Sequence, residues 1–463
     1  MTATRTERVI ATIRGGMARR ALAEGEKLPS IRRLARELEV SPSTVVEAYE
    51  RLAAEGLVRS RPGSGFFVAS HAPGQWTGTA PALAEAGPAL DRAVDPLWVA
   101  RQSLDSGPEA LRPGCGWLPP EWMPNAAIRR AIRGLAKADE TVLTVYGAPR
   151  GPLALRQLLA RRCAEEGIEA GPEQVLLTAS GTQAVDLVCR LLLRPGDTVL
   201  LDDPCYFNFQ ALLRAHGVGI VSVPFTPSGP DIDAFGEVLA RHRPRLYITN
   251  CALHNPTGAT LSPQVAHRLL IAAAAHDLVI VEDDIFAAFE PEPSPRLAAL
   301  DGLKRVIRIG SFSKTVSASV RCGYVIARPD WIEALVDLQV ATCFGGPSPV
   351  AAEIVRGVLA DGGYRKHVAG LRSRLARRRR EVLADLAGLG ITPWTLPRGG
   401  FYLWCRLPDG RNAAEVAKAA LRERMVLAPG NVFSVAQSAH DLMRFNVAQM
   451  NAEALRILRQ ALR

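Results

Sequence analysis

Four segments of this 463-residue chain place chemically able residues directly behind apolar runs. Val175-Leu176-Leu177-Thr178 leads into Ser180-Gly181-Thr182-Gln183. Arg245 to Thr249 leads into Asn250 and then His254-Asn255-Pro256-Thr257-Gly258. Leu278 to Val281 leads to Asp283-Asp284. Arg305 to Ile309 leads to Ser311-Phe312-Ser313-Lys314, with Arg321 seven residues further on. A small glycine-bearing turn at the start of a helix exposes backbone N–H groups that suit a phosphate. Singly these signals are weak, because such a turn is usually only a turn, an Asp behind a strand usually caps a helix, and a lysine is usually solvated. Together and in this order they form an anion cradle, a carboxylate, an amine and a guanidinium around one crevice. That set fits an aldehyde cofactor held as a Schiff base on lysine.

The elements that must position these residues follow from the same pattern. Apolar strand-like runs, including Thr198-Val199-Leu200-Leu201, alternate with helical stretches such as Thr182 to Leu193 and Pro263 to Ala275. The alternation predicts a largely parallel α/β sheet with site residues at the carboxyl ends of its strands.

From about Arg112 to the C-terminus the chain resembles fold-type I pyridoxal-phosphate enzymes of the aspartate aminotransferase kind. The matching segments are Tyr146-Gly147 with Gly151, the Ser180 turn, Asp203-Pro204 with Tyr206, Asn255 to Gly258, Asp283, Ser311 to Arg321, Gly399-Gly400-Phe401, Pro429-Gly430 and Arg444. The resemblance implies pyridoxal 5′-phosphate as cofactor and Lys314 as the amine of the internal aldimine. By the same resemblance Asp283 would pair with the pyridinium nitrogen, Asn255 would bond the ring hydroxyl, and Tyr206 would stack on the ring. Lys314, Asp283 and Tyr206 would form the catalytic set. Gly181, Thr182, Ser311 and Arg321 would bind the phosphate with Gln183 beside them, and the Tyr146 hydroxyl would arrive from a partner subunit. Arg444 would take an amino-acid carboxylate through its planar fork. Phe286 departs from the family, which often has a ring-hydroxyl-bonding tyrosine three residues after the aspartate. That change would alter the aldimine pKa and weaken transamination.

A separate module is expected over residues 1–69. Ile10, Ile13, Met17 and Leu22 suggest a helix closed by Gly25; a second runs from Ile31 to Leu38, and a third, capped by Ser41 or Ser43, runs to Ala54. Leu57 to Ser60 and Phe66 to Val68, joined by Arg61-Pro62-Gly63-Ser64-Gly65, read as a hairpin. This is the order of a winged helix-turn-helix. The stretch Glu26 to Ala35, with Ser43-Thr44-Val45, Ala48-Tyr49, Leu52, Glu55 to Val58 and Gly63-Ser64-Gly65, resembles the DNA-binding domain of the GntR superfamily. By that resemblance Arg32, Ser41, Ser43 and Thr44 would contact DNA, as would the wing around Arg61 and Gly63. Pro42 stands where many members carry arginine, and Val46 where some do. Short hydroxyls and amides at a helix N-terminus grip phosphates, whereas arginines read guanine edges.

Residues 70–96, rich in Ala, Pro and Gly, read as a linker to the 97–463 domain. The combined layout resembles the MocR/GabR family of transcription regulators. It implies double-stranded operator DNA, a small amino compound forming an external aldimine as effector, and a homodimer. The competing expectation is a working aminotransferase with an accessory DNA-binding domain. A nucleoid-associated protein is a third possibility, which leaves the lysine site unexplained.

Composition narrows the field further. The chain is 48% hydrophobic and 22% charged, a globular balance. No apolar run reaches the ~18 residues of a membrane helix, and no signal core follows Arg5. Eight scattered cysteines without a CxxC pair argue for reduced thiols in a cytoplasm and against a metal module. The net charge of +10 is only weakly indicative of nucleic acid. Residues 1–70 contribute twelve Lys and Arg against eight Asp and Glu. Six arginines between Arg372 and Arg380 read as a solvated helix face or, secondarily, as a shelf beside DNA.

Overall fold

The structure is a computed structural model that describes residues 4–18, 22, 25–69, 95–107 and 109–463. The described residues divide into two units, one up to 69 and one from 95 onward. Most of the expected linker, 70–94, lies outside the described residues, and Asp95 already caps a helix by accepting from the Trp98 N–H.

The first unit holds helices α1 (Arg5–Ala18), α2 (Ile31–Glu37) and α3 (Pro42–Ala54) and the hairpin β1 (Val58–Arg61) and β2 (Gly65–Val68). Ser30 and Ser41 start α2 and α3, their hydroxyls accepting from the Arg33 and Thr44 N–H groups, and Pro42 occupies the first helical position of α3. Val9, Ile13, Leu34, Val45, Tyr49 and Leu52 fill the core. The first helix is shorter than expected. Leu22 lies beyond its end and folds back over Gly16, where an added Cβ would come within 2.8 Å of the leucine.

In the second unit, eight strands form one sheet: β3 (Val175–Thr178), β4 (Thr198–Asp203), β5 (Gly219–Thr226), β6 (Gly229–Pro230), β7 (Leu246–Thr249), β8 (Val279–Asp283), β9 (Val306–Ser311) and β10 (Gly323–Ile326). Their order is β3-β10-β9-β8-β7-β4-β5-β6. Pairs from β5 through β4, β7 and β8 to β9 are parallel, whereas β10 runs antiparallel to both neighbours. Leu200, Tyr247 and Ile280 pack into a core on one face, and Val199, Leu201, Ile248 and Val281 into a core on the other. Burial on both faces explains the continuous apolar runs. β8 and β9 reach two residues further than expected, so Asp283 and Ser311 terminate strands instead of following them.

Helices include α4 (Pro96–Asp105), α5 (Gly181–Leu192), α6 (Pro263–Ala275) and the long α7 (Gly363–Ala387). A smaller antiparallel sheet, ordered β11 (Thr392–Pro393), β12 (Tyr402–Arg406), β14 (Leu442–Asn446), β13 (Ala428–Pro429), carries Arg444. The arginine run on α7 is not a plain solvated face. Arg372 donates to the Ala288 carbonyl at 2.8 Å, Arg378 to that of Met450 at 2.8 Å, and Arg379 to that of Gly400 at 3.0 Å. Arg374 lies over the Trp122 ring, 4.8 Å from its centroid. No described helix is long and apolar enough to cross a membrane.

Candidate functional site

The strand ends of β8 and β9, the loop after β7 and the start of α5 converge on a cavity of ≈ 510 Å³. Lys314, Asp283, Asn255, Tyr206, Gly181, Thr182, Ser311, Arg321 and Arg444 all line it. Gln183 and Tyr146 do not. The Gln183 carboxamide is turned along α5, accepting from the Ala179 N–H at 2.6 Å and donating to Cys343 Sγ at 2.9 Å. Tyr146 is 77% exposed and stands edge-on to the Phe344 ring, at 4.9 Å between centroids.

The anion cradle comes from the cap of α5. Ser180 Oγ accepts the Gln183 N–H at 3.0 Å, which leaves the Gly181 and Thr182 N–H groups at the positive end of a twelve-residue helix with no acceptor inside the helix. Ser311 Oγ lies opposite, 2.8 Å from Ser313 Oγ. β10 closes on this turn through Gly323, where an added Cβ would stand 2.7 Å from the Ser180 carbonyl carbon and 2.8 Å from the Gly181 nitrogen. Arg321 completes the rim with φ of +54°, a conformation that non-glycine residues rarely adopt.

Lys314 Nζ donates to the Gly116 carbonyl at 2.5 Å. Burial lowers its pKa to about 8, with Arg444 adding to the effect and Asp283 opposing it. Burial raises Asp283 to about 6, against the Ile285 N–H that bonds its Oδ1 at 3.2 Å. Asn250 Nδ2 donates to the Asp283 carbonyl at 3.0 Å, and Asn250 Oδ1 is buried without a partner among the described residues.

Arg444 is only 1% exposed. Its Nη1 donates to Asn255 Oδ1 at 2.7 Å and its Nη2 to the Gly114 carbonyl at 2.6 Å. The Tyr402 and Phe433 rings lie 4.3 and 4.8 Å from its guanidinium carbon. Among the described residues no carboxylate pairs with it. A buried cation so placed favours an incoming anion. Phe286 lines the cavity and packs edge-on against Tyr402 at 5.4 Å, so the departure noted in the sequence puts hydrocarbon in the cavity wall.

The cavity thus holds Lys314, Arg321 and Arg444 against one acid, Asp283. The donor set fits a phosphate at the α5 cap, a cationic ring nitrogen at Asp283 and a second anion at Arg444. Gly116, Trp117, Tyr402 and the α4 residues Ala100, Ser103 and Leu104 also line it without having been singled out in the sequence. A Cβ at Gly116 would come within 2.6 Å of the Tyr402 hydroxyl, a closeness that only the fold reveals. Among the described residues no group of three His, Cys, Asp or Glu side chains could hold a metal.

In the first unit, Ser41 Oγ lies 2.8 Å from both Ser43 Oγ and Thr44 Oγ1, a hydroxyl cluster at the N-terminus of α3. Arg14, Arg33 and Arg51 pair with Glu55, Glu37 and Glu47. Arg32, Arg36, Arg59 and Arg61 have no ion pair among the described residues. Arg61 lies over Phe67, 4.6 Å from the ring centroid, and Gly63 turns the hairpin tip with φ of +72°.

Comparison with known proteins agrees with this geometry. Residues 5–68 match the gntR family of bacterial regulatory proteins, and residues 119–462 match aminotransferase class I and II. An uncharacterized HTH-type transcriptional regulator of Bacillus subtilis, YdfD, is 28% identical over 93% of this chain and 90% of its own. The 2-aminoadipate transaminase of Thermus thermophilus is 30% identical over 74% of this chain and 88% of its own. The solved structure of LysN, an alpha-aminoadipate aminotransferase of Thermus thermophilus complexed with N-(5′-phosphopyridoxyl)-L-leucine, superposes with a TM-score of 0.72 at 29% identity, covering 79% of this chain and 94% of that one. These likenesses indicate pyridoxal 5′-phosphate as the cofactor. The chain belongs to the class I and II aminotransferase family and joins that fold-type I domain to an N-terminal gntR-family domain.

Proposed function

We propose that this chain is a DNA-binding transcription regulator of the MocR/GabR type, acting in the cytoplasm as a homodimer, whose large unit responds to a small amino compound. The observation that carries the reading is the cavity's charge: among the described residues three cations face one carboxylate, and Arg444 is buried with no counter-ion. A cofactor phosphate and a ligand carboxylate would balance it.

When bound, pyridoxal 5′-phosphate supplies an electrophilic aldehyde and an electron-withdrawing ring. The residues around it have separable tasks. Gly181, Thr182, Ser311 and Arg321 would hold the phosphate, Tyr206 the ring face, and Asn255 the ring hydroxyl. Asp283 would keep the ring nitrogen protonated, and that cation would in turn stabilise its carboxylate. Burial, which pushes Lys314 down to about 8, would enlarge its neutral, nucleophilic fraction relative to an exposed lysine. An amino acid would enter with its carboxylate on Arg444 and its amine toward Lys314 Nζ. Tyr146, Leu143, Val145 and Phe344 are all more than half exposed, which suits a face for a second copy. In the first unit, the α3 hydroxyl cluster and Arg32, with Arg61 and Gly63 of the wing, would meet DNA. Ligand occupancy would then shift how two winged helices reach their half-sites.

The test is retention of a promoter fragment with and without candidate amino acids. Wild-type protein should change its DNA affinity on addition of the right compound, and Lys314→Ala should not. A second reading, a working aminotransferase with an accessory DNA-binding domain, is favoured by the complete Lys314, Asp283, Asn255 and Arg444 set. Steady conversion of an amino donor and a keto acid, without sequence-selective DNA retention, would establish it instead.

A further inference from the structure

Successive residues at the ends of β8 and β9 face opposite ways. Asp283, Ser313 and Lys314 line the first cavity, whereas Asp284, Phe312 and Thr315 line a second of ≈ 420 Å³. Every acid lining the second cavity is already paired. Asp284, 6% exposed, is held by Arg296 at 2.9 Å and Arg308 at 2.6 Å. Glu166 pairs with Arg308, and Glu165 with Arg365 at 2.6 Å. Arg296 is also held from behind by Glu290 at 2.6 Å.

Two guanidiniums remain over. Arg162 lies on the Tyr364 ring, 4.6 Å from its centroid, and Arg372 uses its Nε on the Ala288 carbonyl, so its terminal nitrogens stay open. Among the described residues neither meets a carboxylate. Tyr364 and Arg372 are eight residues apart on α7, about 12 Å of helix rise, so the two forks enter from separated points along one wall. Arg308 Nε, in the same lining, is a buried donor without a partner among the described residues, whereas the equally unpartnered Asp284 Oδ1 is an acceptor and offers an anion nothing. One compact anion cannot answer donors spread along a wall in this way; an elongated molecule with an anionic group at each end can.

We infer that this second cavity binds a short dicarboxylic acid, one carboxylate on Arg162 and the other on Arg372. The shared wall, Asp283-Asp284 and Ser311-Phe312, lets its occupancy bias the lysine cavity. This does not rest on the function proposed above and holds equally for a regulator or an enzyme.

The experiment uses the cofactor-loaded protein, titrated with succinate and, separately, with acetate and inorganic phosphate. Succinate should bind, and Arg162→Gln or Arg372→Gln should each weaken it about tenfold or more. The losses in Arg162→Gln and Arg372→Gln should persist in an Arg444→Gln background, which removes any succinate held in the lysine cavity. In unmutated protein, succinate should shield Arg162 and Arg372 from phenylglyoxal, as read by peptide mapping. This measurement decides the matter if a variant fails to fold. Protection confined to Arg444 or Arg321, or equal protection by acetate, overturns the assignment. So does the absence of succinate binding.

Discussion

Arg444 Nη1 and Asn255 Oδ1 stand 189 residues apart in the chain and 2.7 Å apart in space. The residue assigned to a ligand carboxylate therefore also orients the residue assigned to the cofactor's ring hydroxyl, and the two cannot be perturbed independently. Arg444→Gln is expected to weaken amino-acid binding at least tenfold, read by the change in cofactor absorbance on titration. Thermal stability of the cofactor-free variant should fall little or even rise, because a buried guanidinium without a carboxylate is costly to keep. A large loss of stability with unchanged amino-acid affinity would contradict the role.

Lys314 provides a test in the pH dependence of folding. Its folded pKa of about 8 lies below the ordinary lysine value of 10.5, so the unfolded chain binds more protons between those values. Stability of the cofactor-free protein should therefore climb as pH rises from about 8 to 10.5. Lys314→Met should remove that climb and stabilise the cofactor-free protein at pH 7 by roughly 3 kcal/mol. Chemical denaturation across this range is the measurement. Asp283, raised from 3.8 to about 6, has the opposite sign: stability should fall as pH rises through that window, and Asp283→Asn should flatten it. Borohydride treatment of the loaded wild type should leave a pyridoxyl adduct on Lys314 alone.

Gly323 sits where β10 touches the α5 cap. Gly323→Ala forces backbone apart at the Ser180 turn, since the nearest atoms are main chain and cannot rotate away. Cofactor affinity should drop by an order of magnitude or more, measured by dialysis against limiting cofactor, with a stability loss of about 1–3 kcal/mol.

The first unit separates capping from contact. Ser41→Ala removes the hydroxyl that accepts the Thr44 N–H and should cost about 1 kcal/mol of that unit's stability. Arg32→Ala and Arg61→Ala should leave stability nearly unchanged. Each should weaken DNA binding and flatten the dependence of log affinity on log salt by about one. An unchanged salt slope in both would remove them from the interface.

Much of the architecture was legible because strands buried on both faces must be apolar throughout, and the polar residue that ends each run marks where the sheet opens. Asp283, Ser311 and Asn250 all stand at such ends. The α5 cap was legible because Ser-Gly-Thr is a local signal. The remaining lining was not. Gly116 contributes a backbone carbonyl, Tyr402 comes from the smaller sheet, and Leu104 from α4. No spacing rule connects them to Lys314, because the connection is made only by tertiary packing. Gln183 misleads for a local reason: it belongs to the turn by sequence, yet helical geometry rotates its side chain toward Cys343. Tyr146 faces outward in a single chain.

The arginines of α7 have a wider consequence. Arg378 and Arg379 are moored to main-chain oxygens, Arg372 is tied by its Nε alone and Arg374 lies on an indole, so part of that basic run is committed to internal scaffolding. An isoelectric point near 9.5 then overstates the appetite of the large unit for polyanions. Heparin retention should accordingly follow the winged-helix arginines and not those on that long helix.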